Sequence, residues 1–379
     1  MDCNYKEECG GCRYRQLGLK EYQEKKRRDV LAVLQELKAE DYKFAEPVFI
    51  GDGHRRRAAF AFSCRKGKLV LGFNRSQSSE IIDLASCCLL TPKINAALPA
   101  LRSLLAELCA VKIPQMKKNK QVGSSCLSGG DLQITEADNG LDIVLQFEGE
   151  LNLDYRMIIF EFAQKYNDII RISHRRTENG QPETVVEKSK PYINIAGYEV
   201  YIPAGTFLQA SKASEQALIE IVLRYLGQSG GKIADLFCGV GTFSYPLSKN
   251  IKNKIVAVDS SKSLLEGFRQ SVNKNMIPNI EIIEKNLFKY PLDEKELSGF
   301  DVVVFDPPRA GAEAQAAKIA AMGENAPRKV IAVSCNSHSF VKDANILTDS
   351  GYKLEEVTLV DQFAYSNHSE LVALFTKKD

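Results

Sequence analysis

The stretch Val330-Ile331-Ala332-Val333-Ser334-Cys335-Asn336 decides how the chain is read. Three β-branched residues in a short apolar run predict a buried strand. It stops in three small polar residues, as at the carboxyl edge of a parallel sheet, where ligands bind. A thiol there is a candidate nucleophile, because its thiolate attacks readily once formed. A buried core cysteine is the plain alternative.

Working outward, apolar runs at Ile233–Phe237, Lys254–Val258, Ile280–Ile283 and Val302–Phe305 alternate with helical segments from about Gly205 onward. That alternation predicts a doubly wound, mostly parallel sheet. Two further runs, near Leu354–Leu359 and Leu371–Phe375, follow each other closely enough to lie antiparallel at one edge. Seven strands result. The first is followed by Asp235-Leu236-Phe237-Cys238-Gly239-Val240-Gly241-Thr242-Phe243. Glycines directly after a strand let a ligand approach the backbone and the amino end of the next helix. Gly-x-Gly alone is a weak signal, shared with dinucleotide enzymes and plain turns. Here the second strand ends in Asp259, placed to accept hydrogen bonds from a ribose diol. The fourth ends in Asp306-Pro307-Pro308-Arg309, a rigid turn fixing a carboxylate at the sheet edge. No Gly-Lys-Ser/Thr loop for a nucleoside triphosphate is present. Loop, acid and Asp-Pro-Pro in this order point to S-adenosylmethionine rather than NAD.

Bulk properties narrow the setting. The chain has 379 residues, enough for two or three domains. No apolar run approaches a membrane span, and the polar start Met1-Asp2-Cys3-Asn4-Tyr5 lacks a signal-peptide core, so a cytoplasmic location is expected. In a reducing compartment the ten cysteines are read as metal ligands, catalytic groups or core residues rather than disulfides. A net charge of +2 does not announce nucleic acid, and residues 1–204 carry 30 Lys and Arg against 27 Asp and Glu. Any nucleic-acid contact must rest on local clusters.

Cys3, Cys9 and Cys12 open the chain at the spacing Cys-x5-Cys-x2-Cys, with Gly10-Gly11 between the last pair. Three such cysteines need a fourth ligand, for which Cys87 and Cys88 are the candidates. Four thiolates suit an iron–sulfur cluster or a structural zinc equally well by spacing. Residues 21–40 predict an amphipathic helix with Val30, Val33, Leu34 and Leu37 on one face, and Lys25-Lys26-Arg27-Arg28 is read as its solvated basic turn. His54-Arg55-Arg56-Arg57 precedes a hairpin of Ala58–Cys64 and Leu69–Phe73, and Lys117-Lys118-Asn119-Lys120 sits in a loop. Both basic clusters are candidates to track a phosphate backbone. Residues 91–110 and 158–168 predict helices, 141–147 and 169–173 strands, and the polar stretch 177–191 a hairpin turn or linker. The first half is therefore a mixed α/β module.

Taken together, these motifs resemble the RNA uracil-5-methyltransferases that modify tRNA or large-subunit ribosomal RNA. The likeness runs through nearly the whole chain, in the family's order. Phe207-Leu208-Gln209 is similar to its Phe-x-Gln, and Asp235–Phe243, Asp306–Arg309 and Ser334–Asn336 to its next motifs. Asp361-Gln-Phe-Ala-Tyr-Ser-Asn-His-Ser-Glu370 is similar to the closing one. The resemblance implies Cys335 as nucleophile and Glu370 as general base. It implies Gln209, Phe237, Gly239, Gly241, Asp259, Asn286 and Asp306 at S-adenosylmethionine. It also implies a [4Fe-4S] cluster on Cys3, Cys9, Cys12 and Cys87, as in the ribosomal-RNA branch; Pro92, five residues beyond Cys87, favours Cys87, with Cys88 still possible. Two domains follow: an iron–sulfur and RNA-binding α+β module over 1–204, and a Rossmann-like methyltransferase domain with a mostly parallel seven-stranded sheet over 205–379. The helix of residues 21–40 is expected to pack on the catalytic domain.

Departures from the family pattern are few. Asp259 replaces the usual Glu, Asn286 a frequent Asp, Ser337 a Pro, and Ala364 and Ser369 a Pro and a Val. None removes a reactive group. The chain starts at the cysteines, without the β-barrel that many relatives carry in front, so RNA contact is expected from the first half itself. The expected reaction is methylation of carbon 5 of a uridine, most naturally in 23S ribosomal RNA, through a covalent cysteine–uracil intermediate. Competing readings are a tRNA uracil-5-methyltransferase, a base N-methyltransferase that would work without Cys335, and a non-catalytic RNA-binding module.

Overall fold

The computed structural model describes residues 3–117, 120–228 and 231–377, with backbone only over 113–117 and 120–124. The Lys117-Lys118-Lys120 side chains lie outside the described residues. The chain forms two compact units that do not follow a single cut near residue 204. One comprises 1–16, 51–193 and 202–208; the other comprises 17–50, 194–201 and 209–379. Among the described residues no helix is long and apolar enough to cross a membrane.

The second unit is built on a mixed sheet of nine strands rather than seven. Ile280–Glu284, Lys254–Asp259, Lys232–Leu236, Val302–Phe305 and Lys329–Ser334 lie side by side and parallel, in that spatial order. Glu370–Lys377 then joins antiparallel, followed by Tyr352–Asp361. The strands Val302–Phe305 and Lys329–Ser334 are almost wholly buried. Helices on both faces of a parallel sheet demand such continuous apolar runs, which is why they read so clearly. The two additional strands are Lys43–Phe44 and Val48–Phe49, which add parallel to Tyr352–Asp361. Two-residue strands carry no periodic signal, so only the fold could supply them.

Leu19–Leu34 is the helix expected over 21–40, and it belongs to this unit. Tyr22, Lys26, Val30 and Leu34 form its buried stripe at helical spacing. It ends earlier than the apolar pattern does. Beyond it, Asn345 accepts from the Lys38 amide at 2.8 Å and donates to the Glu36 carbonyl at 3.1 Å, fixing a non-helical path. The basic turn is also not wholly solvated, because Lys26 is 1% exposed.

The first unit holds a seven-stranded sheet in the order Glu183–Glu187, Ile169–Arg175, Gly140–Gln146, Gly129–Ala137, Arg57–Arg65, Lys68–Asn74, Ile81–Asp83. All its pairings are antiparallel except Ile169–Arg175 with Gly140–Gln146, the pair bridged by the helix Leu153–Lys165. The helix Pro92–Ala110 buries Leu98, Leu101, Leu105 and Leu108 in the same core. Glu183–Glu187 falls inside the stretch read as turn or linker. An edge strand with mostly exposed side chains looks like loop in sequence.

Candidate active site

Ser334, Cys335 and Asn336 leave the sheet as a fixed turn. Ser334 Oγ donates to the Asn336 carbonyl at 3.1 Å, and Asn336 Oδ1 accepts from the His338 amide at 3.1 Å, capping the helix Ser337–Asp349. Asn336 Nδ2 donates to the Arg309 carbonyl at 3.0 Å, tying this turn to the one after Asp306. Cys335 is half-buried between them.

The antiparallel neighbour brings in the carboxylate. The last registered pair of this ladder is Ser334 with Leu371. Cys335 is the residue after Ser334 and Glu370 the residue before Leu371, so the end of the ladder brings the thiol near the carboxyl, whose charge acts on it. Glu370 is buried; Gln362 Nε2 donates to one of its oxygens, and the other has no hydrogen-bond partner among the described residues. Gln362 is itself oriented by the Ala210 amide, which donates to its Oε1 at 3.2 Å. Burial, then the charge of Asp306, hold the Glu370 carboxyl well above the ordinary range against the opposing bond from Gln362. Burial, then Glu370 and Asp306, push the Cys335 thiol up to about 11, with its own backbone and Arg309 acting against them. The thiol is therefore protonated at neutral pH in the free protein.

Asp306 ends the strand Val302–Phe305 and accepts from Gln209 Nε2 at 3.1 Å. Burial pushes its carboxyl up to about 7, with the Gln209 bond opposing. Asp235 behaves alike: burial raises it to about 7, although Ser244 Oγ donates to it at 2.5 Å. Reading the sequence did not assign Asp235, Gln362 or Arg309 a role. Each stands inside or beside a quoted motif, but its partner is distant in sequence.

The loop after Lys232–Leu236 has positive φ at Phe237, Gly239 and Gly241. At Gly241 a Cβ would meet the Phe268 ring at 2.5 Å, whereas at Gly239 it would meet nothing within 4 Å. One glycine thus permits close helix packing; the other faces open space. Asp259 accepts from the Gly239 amide at 3.0 Å and the Ser261 amide at 2.8 Å, one on each oxygen. Each oxygen retains a lone pair for a further donor. Asn286 Oδ1 accepts from the Phe288 and Lys289 amides at 3.1 and 3.2 Å. Phe237 and Phe288 lie with ring centroids 5.3 Å apart, Phe288 half-exposed. All seven residues expected at the cofactor stand in this unit, at or beside the carboxyl ends of the parallel strands or in the Gln209 segment.

The cysteines expected as metal ligands lie in the other unit. The Gly11 amide donates to Cys9 Sγ at 3.4 Å. The Cys3 and Cys88 thiols are hydrogen-bonded, as are Cys87 and Cys88. Burial, with Cys9, Cys88 and Cys3 nearby, pushes Cys12 up to about 12. Cys87 differs: the Cys88 thiol and the Leu89 and Leu90 amides donate to it, holding it below the ordinary thiol value despite burial. Asn95 fixes its backbone, accepting from the Cys87 amide at 2.9 Å and donating to the Cys87 carbonyl at 3.0 Å. Among the described residues no three His, Cys, Asp or Glu side chains close around a point that would hold a metal ion. The donor chemistry suits a soft metal; a closed ligand set is not formed.

A parallel sheet with an open glycine loop, an acid after its neighbouring strand and a buried Asp-Pro-Pro turn defines an S-adenosylmethionine-dependent methyltransferase. Residues 190–378 match the family model described as tRNA (uracil-5-)-methyltransferase. An RNA methyltransferase of Brucella melitensis is 36% identical over 99% of this chain and 84% of its own length. The 23S rRNA (uracil(1939)-C(5))-methyltransferase RlmD of Pectobacterium atrosepticum is 28% identical, over 98% and 79%. In fold, the chain is similar to the Pyrococcus abyssi tRNA (uracil-54, C5)-methyltransferase, solved with S-adenosyl-L-homocysteine, at a TM-score of 0.72 and 23% identity, covering 97% of this chain and 86% of that one. The chain belongs to the RNA uracil-5-methyltransferase family.

Proposed function

We propose that this protein methylates carbon 5 of a uridine in 23S ribosomal RNA, with Cys335 as nucleophile and Glu370 as general base. The observation that supports it is a half-buried thiol just beyond the pair Ser334–Leu371, near a buried carboxyl with one oxygen unengaged. Carbon 5 of uracil is too weak a nucleophile to take a methyl group unaided. Cys335 releases its proton to solvent and adds as the thiolate to carbon 6, forming the C6–S bond as the electrons of the C5–C6 double bond move to carbon 5. S-adenosylmethionine supplies a methyl group on a positively charged sulfur. After transfer, Glu370 accepts the carbon 5 proton, the C–H electrons re-form the ring double bond, and the C6–S bond breaks to return the thiolate. A carboxyl with a raised pKa is a stronger base than an exposed one, which suits this step. Asp259 and Asn286 are assigned to the adenosine, Gly239 to close approach, Gly241 to loop shape, Phe237 to the adenine face, and Gln209 with Asp306 to the remainder of the cofactor.

The target uracil must leave its stack to reach Cys335, so a loop or flipped nucleotide is the substrate. Two features support ribosomal rather than transfer RNA: the RlmD relative and the cysteine set. We assign Cys3, Cys9, Cys12 and Cys87 to a [4Fe-4S] cluster, with Cys87 favoured over Cys88 by its hydrogen bonds to sulfur. Methyl transfer to separated unmodified 23S ribosomal RNA and tRNA, followed by mapping of the modified base, tests the assignment. Incorporation at one 23S uridine is expected; incorporation into tRNA alone would transfer the reading to the tRNA branch.

A further inference from the structure

The second unit contains a buried charged network that the chemistry above does not use. Tyr22 and Lys26 project from the helix Leu19–Leu34 and engage residues 361–368. Lys26 Nζ donates to the Ser366 carbonyl at 2.8 Å and to the His368 carbonyl, and pairs with Asp361 Oδ1 at 3.0 Å. Two carbonyls thus accept from the ammonium, and its charge is paired with Asp361. Tyr22 Oη donates to Asp361 Oδ2 and accepts from the Tyr365 amide at 2.7 Å. The Tyr22 and Tyr365 rings stack at 4.4 Å. Tyr365 has φ of 60°, a left-handed backbone that a tyrosine rarely adopts and that its surroundings must hold.

Packing alone does not explain this arrangement. Val30 and Leu34 already bury the helix's apolar stripe, and apolar side chains at both 26 and 361 would avoid the cost of desolvating an ammonium and a carboxylate. What the network fixes is the link between the antiparallel strands Tyr352–Asp361 and Glu370–Lys377, and the first residue after that link is Glu370. Gln362, next to Asp361, is the residue that donates to Glu370. We propose that Tyr22 and Lys26 are positioning residues for proton removal: they hold segment 361–370 so that Gln362 and Glu370 face the reacting carbon. This rests on the assignment of Glu370 as base.

The test uses the full chain. Lys26→Met and Tyr22→Phe are compared with Glu370→Gln and with Val30→Ala, which weakens the same helix without touching the segment. Lys26→Met is expected to lose about 10- to 100-fold in turnover, the scale of a small misplacement at a reacting centre, with KM for RNA little changed. A methylated covalent RNA adduct accumulates, as in Glu370→Gln. Tyr22→Phe, which folds more readily, shows the same adduct with a smaller loss. Hydrogen exchange at the Tyr365 amide rises about tenfold or more in both, and not in Val30→Ala. Wild-type turnover in Lys26→Met or Tyr22→Phe, beside an adduct in Glu370→Gln, overturns the positioning role. So does an activity loss in Val30→Ala that matches theirs with no adduct in any of the three. If Glu370→Gln itself turns over normally, the base assignment fails; accelerated exchange at Tyr365 would then preserve only the network's hold on the segment.

Discussion

The two reactive regions of this chain are built in opposite ways. Cys335 and Glu370 stand at the adjoining ends of two paired antiparallel strands, one residue beyond the pair Ser334–Leu371. Cys3, Cys9 and Cys12 sit on turns, and their approach to Cys87 and Cys88 depends on isolated contacts such as Gly10 N to the Asn74 carbonyl at 3.0 Å. A regular ladder positions side chains without any ligand present. Turns define side-chain positions less tightly, and among the described residues no metal-holding set closes. The first region rests on strand pairing, and the second on loop contacts.

The sharpest way to break this contrast is to remove the strand-held groups. Cys335→Ala should abolish methyl transfer while leaving S-adenosylmethionine binding intact, because the cofactor loop lies on other strands. Glu370→Gln should lower turnover by about 10²- to 10⁴-fold. The methylated adduct should then build up as a slow RNA-bearing band on a denaturing gel and vanish in the double mutant. Methylation surviving Cys335→Ala would favour base N-methylation instead.

Iron content sharpens the other side. Anaerobic purification should give a brown protein with about four iron per chain. Cys87→Ser should lose that iron and Cys88→Ser should keep it. One zinc and no iron would replace the cluster with a structural metal, and the reverse pattern for the two serines would move the fourth ligand to Cys88.

A site with buried carboxyls also costs stability. Asp235 and Asp306 are both raised to about 7, so between about pH 4 and 7 the folded protein holds more protons than the unfolded one. Both groups therefore contribute a fall in stability as pH rises through that window. Thermal melts of Asp235→Asn should show a shallower fall than wild type; an unchanged slope would mean that Asp235 ionises normally.

The smallest effect is expected in the basic strand of the first unit. The Arg57 guanidinium lies 5.5 Å from the centre of the exposed Phe207 ring, whereas Arg56 is buried. Arg57→Gln should weaken RNA binding several-fold and reduce its salt slope by about one. Unchanged affinity and slope would leave Arg57 as a local structural charge.

The sequence by itself determined the parallel core, the glycine loop after its first strand and the polar residues that end its strands. Buried parallel strands are continuous apolar runs, and reactive groups at their carboxyl ends stand within a residue or two of those runs. The tertiary structure alone decided what joins sequence-distant segments. It added the strands Lys43–Phe44 and Val48–Phe49, and made an edge strand of Glu183–Glu187. It also turned Lys26 from a solvated charge into a buried one that grips residues some 340 positions away. Amphipathic periodicity counts a lysine as polar and assigns it outward. Only the acceptors offered by Asp361, Ser366 and His368 make burial of that ammonium possible, and no local pattern records them.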